Sequence, residues 1–205
     1  MSDIIKILKK VKAILTDSHF VLTSGRHSSA YINKDMLYPH TKETSQVGKM
    51  IAEKIAGKKP DVIVGPALGG IILSQWTAFH LSKILKKEIL GIYTEKNSES
   101  NQVFTRGYSS FITNKRVVVV EDLTATGGSA KKVVNSVIAH KGKVVAVCVM
   151  VNRDPELVSS KTIGAPFCCL DVFKIDSYDE KSCPLCKNKI PINITVGHGK
   201  KIFGE

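Results

Sequence analysis

The chain has 205 residues, 43% hydrophobic and 23% charged, a balance that excludes a disordered chain and is long enough for one domain with a sizeable core. No apolar run approaches the roughly 18 to 20 residues that a helical bilayer crossing needs, which excludes such a span. The 30 basic residues against 18 acidic ones give a formal charge of +12 and favour an anionic partner.

Residues 2 to 15 place Ile4, Ile5, Leu8, Val11, Ile14 and Leu15 at helical spacing with lysines on the other face, which predicts an amphipathic helix. The same opening stretch lacks the apolar core and small-residue cleavage site of a signal peptide, so the expected compartment is the cytoplasm. Polar residues around Gly25, between two short β-prone runs, predict a strand, a turn and a strand. Val47, Met50, Ile51 and Ile55 mark a helix over 41 to 56, closed by Gly57 and Pro60. Val62 to Val64 is a β-branched strand, followed by a Gly-Pro loop and an apolar helix from about Gly70 to Leu85.

The pattern then repeats. A strand is predicted at Ile89 to Tyr93, an aperiodic polar stretch at 94 to 110, a buried strand at Val117 to Val120, a helix at Ala130 to His140 and a buried strand at Lys143 to Val151. Short β-branched runs alternating with helices imply an α/β fold, a mostly parallel central sheet flanked by helices. Ligands in such sheets bind beyond the carboxyl ends of the strands, which directs attention to the residues after Val64, Tyr93, Val120 and Val151. A boundary near 175 divides a helix and hood at 1 to 40 and a core at 41 to 175 from a Cys-containing tail at 176 to 205, packed on the same domain.

Directly after the Val117 to Val120 strand stand Glu121, Asp122, Leu123, Thr124, Ala125, Thr126, Gly127, Gly128 and Ser129, opening a helix. Hydroxyls and glycine-freed amides at a helix N-terminus suit a phosphate, and the two acids suit sugar hydroxyls. The run is neither a P-loop, since the Gly-Lys-Ser/Thr ending is absent, nor a dinucleotide fingerprint, since G-x-G-x-x-G is absent. It resembles the signature of the type I phosphoribosyltransferases, which holds the ribose and 5′-phosphate of phosphoribosyl pyrophosphate (PRPP). Thr23-Ser24-Gly25-Arg26-His27-Ser28, with Tyr31 to Lys34 after it, resembles the N-terminal hood of the orotate-using branch of that family. Gly65-Pro66-Ala67-Leu68-Gly69-Gly70 resembles its pyrophosphate loop, and Arg153 stands where the branch keeps an arginine for the orotate carboxylate.

The resemblance implies a small N-terminal hood on a phosphoribosyltransferase core that transfers phosphoribose from PRPP to orotate, with Mg²⁺ carried on the substrate pyrophosphate. It implies that Glu121 and Asp122 hold the ribose hydroxyls, that Thr124 to Ser129 cradle the 5′-phosphate and that the loop from Pro66 to Gly70 meets the pyrophosphate. Ser24, Gly25, Arg26, His27, Lys34, Ala125 and Arg153 are the implied orotate contacts. Asp122, Lys96 and Arg106 are the candidate catalytic residues, the two cations lying in a 94 to 110 loop that in the family acts in trans across a homodimer.

Many members of the branch carry a threonine where this chain has Ala125, which opens a purine or another base as an alternative acceptor. The charge of +12 opens a second alternative, a PRPP-binding regulator that binds nucleic acid without catalysis. The lysines lie in scattered pairs such as Lys58-Lys59 and Lys131-Lys132 and not in one block, which disfavours that reading. Five cysteines do not make a disulfide scaffold in a chain of this kind. Cys183-Pro184-Leu185-Cys186 supplies two of the four ligands of a closed zinc site, which Cys168, Cys169 and His198 could complete. The alternative is a pair of packed thiols in a tight proline turn.

Overall fold

The computed structural model describes residues 2–22, 24–197 and 199. Helix α1 (Asp3–Lys10) buries Ile4, Ile5, Ile7 and Leu8. It is shorter than the spacing predicts. Lys12 takes a left-handed φ of 56° that ends the helix, and Ile14–Leu15 becomes strand β1. β2 (Phe20–Val21) and β3 (His27–Ser28) form a hairpin, and β4 (Tyr31–Ile32) pairs antiparallel with β1. These short strands make the hood.

The core runs α2 (Thr41–Ile55), β5 (Val62–Pro66), α3 (Gly69–Leu85), β6 (Leu90–Lys96), β7 (Gln102–Val103), β8 (Arg116–Thr124), α4 (Gly128–Ala139), β9 (Lys143–Asn152), α5 (Ser160–Ile163) and β10 (Phe167–Val172), before α6 (Pro184–Lys187) in the tail. Its six strands lie in the order β10-β9-β8-β5-β6-β7. Every pairing is parallel except β6 with β7. Alternate residues of the strands face opposite layers, as the period of two requires. Ile63, Val118, Val120, Cys148 and Met150 pack with α1, α2 and α3. Val62, Val64, Val117, Val119, Val147 and Val149 pack with α4 and α5. Burial on both faces is why these strands read as unbroken apolar runs in the sequence.

The stretch from 94 to 110 is more ordered than its lack of periodicity suggests. β6 continues to Lys96, and β7 folds back on it with Glu95 opposite Val103 and Lys96 opposite Gln102. The buried Thr94 hydroxyl donates to Gln102 Oε1 at 2.8 Å. A return strand of only two residues, Gln102 and Val103, is too short to show hydrophobic alternation.

After β10 the chain returns to the hood. The Tyr178 and His27 backbones exchange two hydrogen bonds of 2.8 Å, and Ser28 Oγ donates to the Asp176 carbonyl at 2.7 Å. Further on, Asn193 N–H donates to the His19 carbonyl at 2.7 Å. The two ends of the chain therefore brace each other. Among the described residues no helix is long and apolar enough to cross a membrane.

Candidate active site

The carboxyl ends of β5, β6, β8 and β9 converge on a cavity of about 380 Å³, closed from the other side by the hood. Its size is that of a small-ligand site. Leu22, Tyr31 and Lys34 enter from the hood, Pro66 to Gly69 from the loop after β5, Lys96 from β6, Glu121 to Leu123 from β8, Ser129 from α4 and Arg153 from beyond β9. A neighbouring cavity of about 400 Å³ joins Ser24 of the hood to Thr124, Ala125, Thr126 and Arg153.

The turn after β8 is built by its own hydroxyls. Thr124 Oγ1 accepts the Gly127 N–H at 2.9 Å, and Thr126 Oγ1 accepts the Gly128 N–H at 3.3 Å. Gly127 sits at φ 74°, a left-handed conformation that strains any side chain, and α4 starts without a side-chain cap. The helix start thereby faces the cavity uncapped, with Ser129 at its wall, the arrangement that receives an anion.

The two acids differ sharply. Asp122 is held on three sides, accepting the Tyr38 hydroxyl at 2.7 Å, its neighbour Leu123 N–H at 2.6 Å and Lys34 Nζ at 3.1 Å. Burial works against the charge on Lys34, but Asp122 and Asp35 outweigh it and raise its pKa. Tyr38 is pushed far above the ordinary phenol range by burial and then by Asp122, so it stays a donor. Glu121, by contrast, is buried with Oε2 unpartnered. Burial first and the Asp122 charge second raise its pKa well above the carboxylate range.

Gly69 marks the closest approach of the β5–α3 loop to this pair: a Cβ there would collide with the Asp122 carboxylate and the Tyr38 hydroxyl. Only a glycine lets the loop amides lie against the acids. Across the cavity Arg153 donates its backbone N–H to the Thr124 carbonyl at 2.8 Å, which ties β9 to β8 at their ends. Its Nε is buried with no acceptor, and burial lowers its pKa. A buried donor or acceptor left unpaired costs about 1–3 kcal/mol and more when charged. Glu121 and Arg153 therefore prepare one cavity for a ligand bearing both hydroxyls and an anionic group.

Most residues singled out in the sequence meet here, but Gly25, Arg26, His27, Gly70, Arg106 and Gly127 line none of the described cavities. Arg26 turns away, its guanidinium held by Ser177 Oγ at 2.9 Å, the Ser177 carbonyl at 2.6 Å and Asp179 at 2.8 Å. His27 is buried against His19 and Cys186, and neither it nor Arg26 lines the described cavities. Their place in the motif is structural, because the tail binds the face of the hairpin that was expected to bind substrate. Arg106 pairs with Glu95 at 3.1 Å on the surface, whereas Lys96 reaches the cavity. Gly25 serves the hairpin turn at φ 78°, and Thr23 lies outside the described residues.

Lys34 reaches the acid pair, a role the sequence did not assign to it. Tyr38 was missed altogether, because a lone tyrosine before a helix carries no signal. Lys132 was passed over among the scattered lysine pairs; it lines an adjoining space of about 230 Å³ with Lys96, Thr126 and Ser129. Its position one helical turn beyond Ser129 could have revealed it.

A parallel strand that delivers an acid pair and a hydroxyl-built turn to an uncapped helix start is the frame of a sugar-phosphate transferase. Sequence comparison defines the class: residues 33–181 match the profile described as the phosphoribosyl transferase domain, and the chain belongs to the phosphoribosyltransferase family. Within that family its relatives include orotate phosphoribosyltransferases. That of Caldanaerobacter subterraneus subsp. tengcongensis is 31% identical over 189 residues, covering 92% of this chain and 93% of its own. Among solved structures, the orotate phosphoribosyltransferase of Aeropyrum pernix superposes with a TM-score of 0.62 at 27% identity, over 82% of this chain and 92% of that one. That of Mycobacterium tuberculosis H37Rv, solved in complex with PRPP, gives a TM-score of 0.61 at 22% identity, over 83% and 96%.

Proposed function

We propose that the protein transfers phosphoribose from PRPP to orotate, giving orotidine 5′-monophosphate and pyrophosphate for pyrimidine synthesis. The observation that carries this reading is the pairing, in one cavity, of a buried Glu121 whose Oε2 has no partner with a half-buried Arg153 whose Nε is buried with no acceptor. Glu121 and Asp122 suit the ribose hydroxyls, and the Thr124 to Ser129 turn suits the 5′-phosphate. The loop from Pro66 to Gly70 suits the pyrophosphate. Arg153 suits the orotate carboxylate, which uracil, adenine and hypoxanthine all lack.

Thr124 Oγ1 accepts the Gly127 N–H, which commits one lone pair to the turn and leaves the hydroxyl proton to donate toward the cavity it lines. Discrimination among bases rests chiefly on Arg153, with Ser24 and Ala125 shaping the cavity beside it. In the reaction the orotate ring nitrogen forms a bond to the anomeric carbon as the bond to the pyrophosphate oxygen breaks. Positive charge develops on the ribose, so this chain contributes chiefly alignment and charge stabilisation. Lys96, which lines the cavity, suits the charge that builds on the leaving oxygen.

Mg²⁺ fits a site with two carboxylates and substrate phosphates, and when bound it would neutralise pyrophosphate charge. We read the working form as a cytoplasmic homodimer in which the 94 to 110 hairpin reaches a second copy's site; the outward Arg106 supports this, being free of the cavity of its own chain. The test is orotate-dependent pyrophosphate release in the presence of PRPP and Mg²⁺. Wild-type protein is expected to release one pyrophosphate per orotate consumed and Asp122→Asn to be slower by about 100-fold or more. Absence of release, or equal release by the variant, contradicts the reading.

A further inference from the structure

His19, His27, Cys183 and Cys186 bring one ligand atom each to within 4.8 Å of one another, with three of the four residues buried. His19 Nε2 lies 2.7 Å from His27 Nδ1 and 3.8 Å from each sulfur, and Cys186 Sγ lies 3.3 Å from His27 Nδ1. A tetrahedral zinc ion with ordinary bond lengths sets its ligand atoms about 3.3 Å apart between nitrogens and about 3.8 Å between sulfurs. The cluster is thus already close to the size of a coordination shell.

Three further features suit a metal. The His19 Nδ1 lies 2.8 Å from the Ile190 carbonyl, so that nitrogen carries the proton and Nε2 presents its lone pair to the cluster, the outer-shell bond that metal-bound histidines use. Pro184 opens α6 between the two cysteines, and the Lys187 N–H donates to the Cys183 carbonyl at 3.1 Å, which fixes both sulfurs on one turn. The chemistry of the set is two soft sulfurs and two imidazoles, a zinc set and not a magnesium one.

We propose that these four residues form a structural zinc site that fastens the N-terminal hood to the C-terminal tail. The site stands apart from the substrate cavity, and none of its ligands lines that cavity. On binding, both thiols release their protons to solvent. Two thiolates and two neutral imidazoles then balance the dication, so the buried centre carries no net charge. The sequence points to the two cysteines but not to these two histidines. Cys168 and Cys169 lie on β10 beside β9, and His198 lies outside the described residues. The tail brings the histidines of the hood across more than 150 residues of chain.

Closing so long a loop constrains the unfolded chain and holds Leu22 and Ser24, which follow β2, at the walls of the substrate cavities. The test is the metal content of the full chain purified without added metal, measured by elemental mass spectrometry with no substrate present. This readout is independent of which base the enzyme uses. One zinc per chain is expected, and Co²⁺ exchanged for it should give a thiolate charge-transfer band with tetrahedral d–d bands. Cys183→Ser and His19→Gln should each lower zinc content at least several-fold, while His27→Cys, which restores a ligand, should retain it. Metal-free wild-type protein overturns the proposal. So does a Cys183–Cys186 disulfide in the purified chain, or zinc that survives Cys183→Ser but is lost on Cys168→Ser.

Discussion

Arg153 Nε and Glu121 Oε2 are each buried beside a cavity without a partner, and each residue sets a measurable expectation. Replacing Arg153 by Met keeps the bulk of the side chain and removes the charge. KM for orotate should rise by about 10- to 100-fold while KM for PRPP changes little, since losing a charged hydrogen bond costs about 1.5–3 kcal/mol. Equal changes in both KM values would show that Arg153 does not face the base. Glu121 governs stability against pH. Its pKa is raised in the folded protein, so between the ordinary carboxylate value and that raised value the folded chain holds a proton that the unfolded chain has lost. Its stabilisation is complete below the unfolded pKa and disappears as pH rises through the folded one. The difference in Tm between unliganded wild type and Glu121→Gln should therefore shift against wild type as pH rises above about 4.3, on top of the opposite trend set by Glu43, Asp61 and Glu95, whose pKa values are lowered. Parallel profiles would rule out Glu121 as the source.

At the scale of elements, the strand-to-helix unit from Arg116 to Ala139 was the most legible part of the chain. Its apolar run, its acids and its glycines each follow from one local requirement: burial on both faces, hydroxyl binding and an uncapped helix start. Hairpins were legible in part. The β2–β3 turn announced itself through Gly25, but the β6–β7 pair did not, because its contacts are polar and short. That pair separates two cations the sequence treated alike. Lys96→Ala should reduce kcat by about 100-fold with a small change in KM. Arg106→Ala, assayed beside it, reports on the trans arrangement. In the trans arrangement Arg106→Ala should lose about 10-fold or more and recover in part when mixed with Asp122→Asn, whereas a loss of at most a few-fold that mixing leaves unchanged would show that Arg106 acts only through Glu95 in its own chain.

Across the whole molecule, the parallel sheet and its two helical layers were legible because hydrophobic periodicity is a local property. Contacts between distant segments were not. Nothing in Ser24 to Ser28 reveals that Arg26 and His27 face the tail and not a substrate, since the residues that claim them, Ser177, Asp179 and Cys186, lie about 150 positions away. Nor does spacing show that Tyr38 rests on Asp122. Local chemistry singled out the acids and the hydroxyl-built turn that line the cavity, whereas the arrangement of the hood became visible only once both ends of the chain were packed together.

Orotate and uracil differ by one carboxylate, and in the proposed function Arg153 is the group that meets it. The ratio of kcat/KM for these two bases, with PRPP and Mg²⁺ saturating, is therefore the most direct measurement. A site built around a buried guanidinium should favour orotate by about 10³-fold or more. Comparable values for the two, or a purine consumed faster than either, would contradict the assignment of Arg153 and the choice of orotate as acceptor.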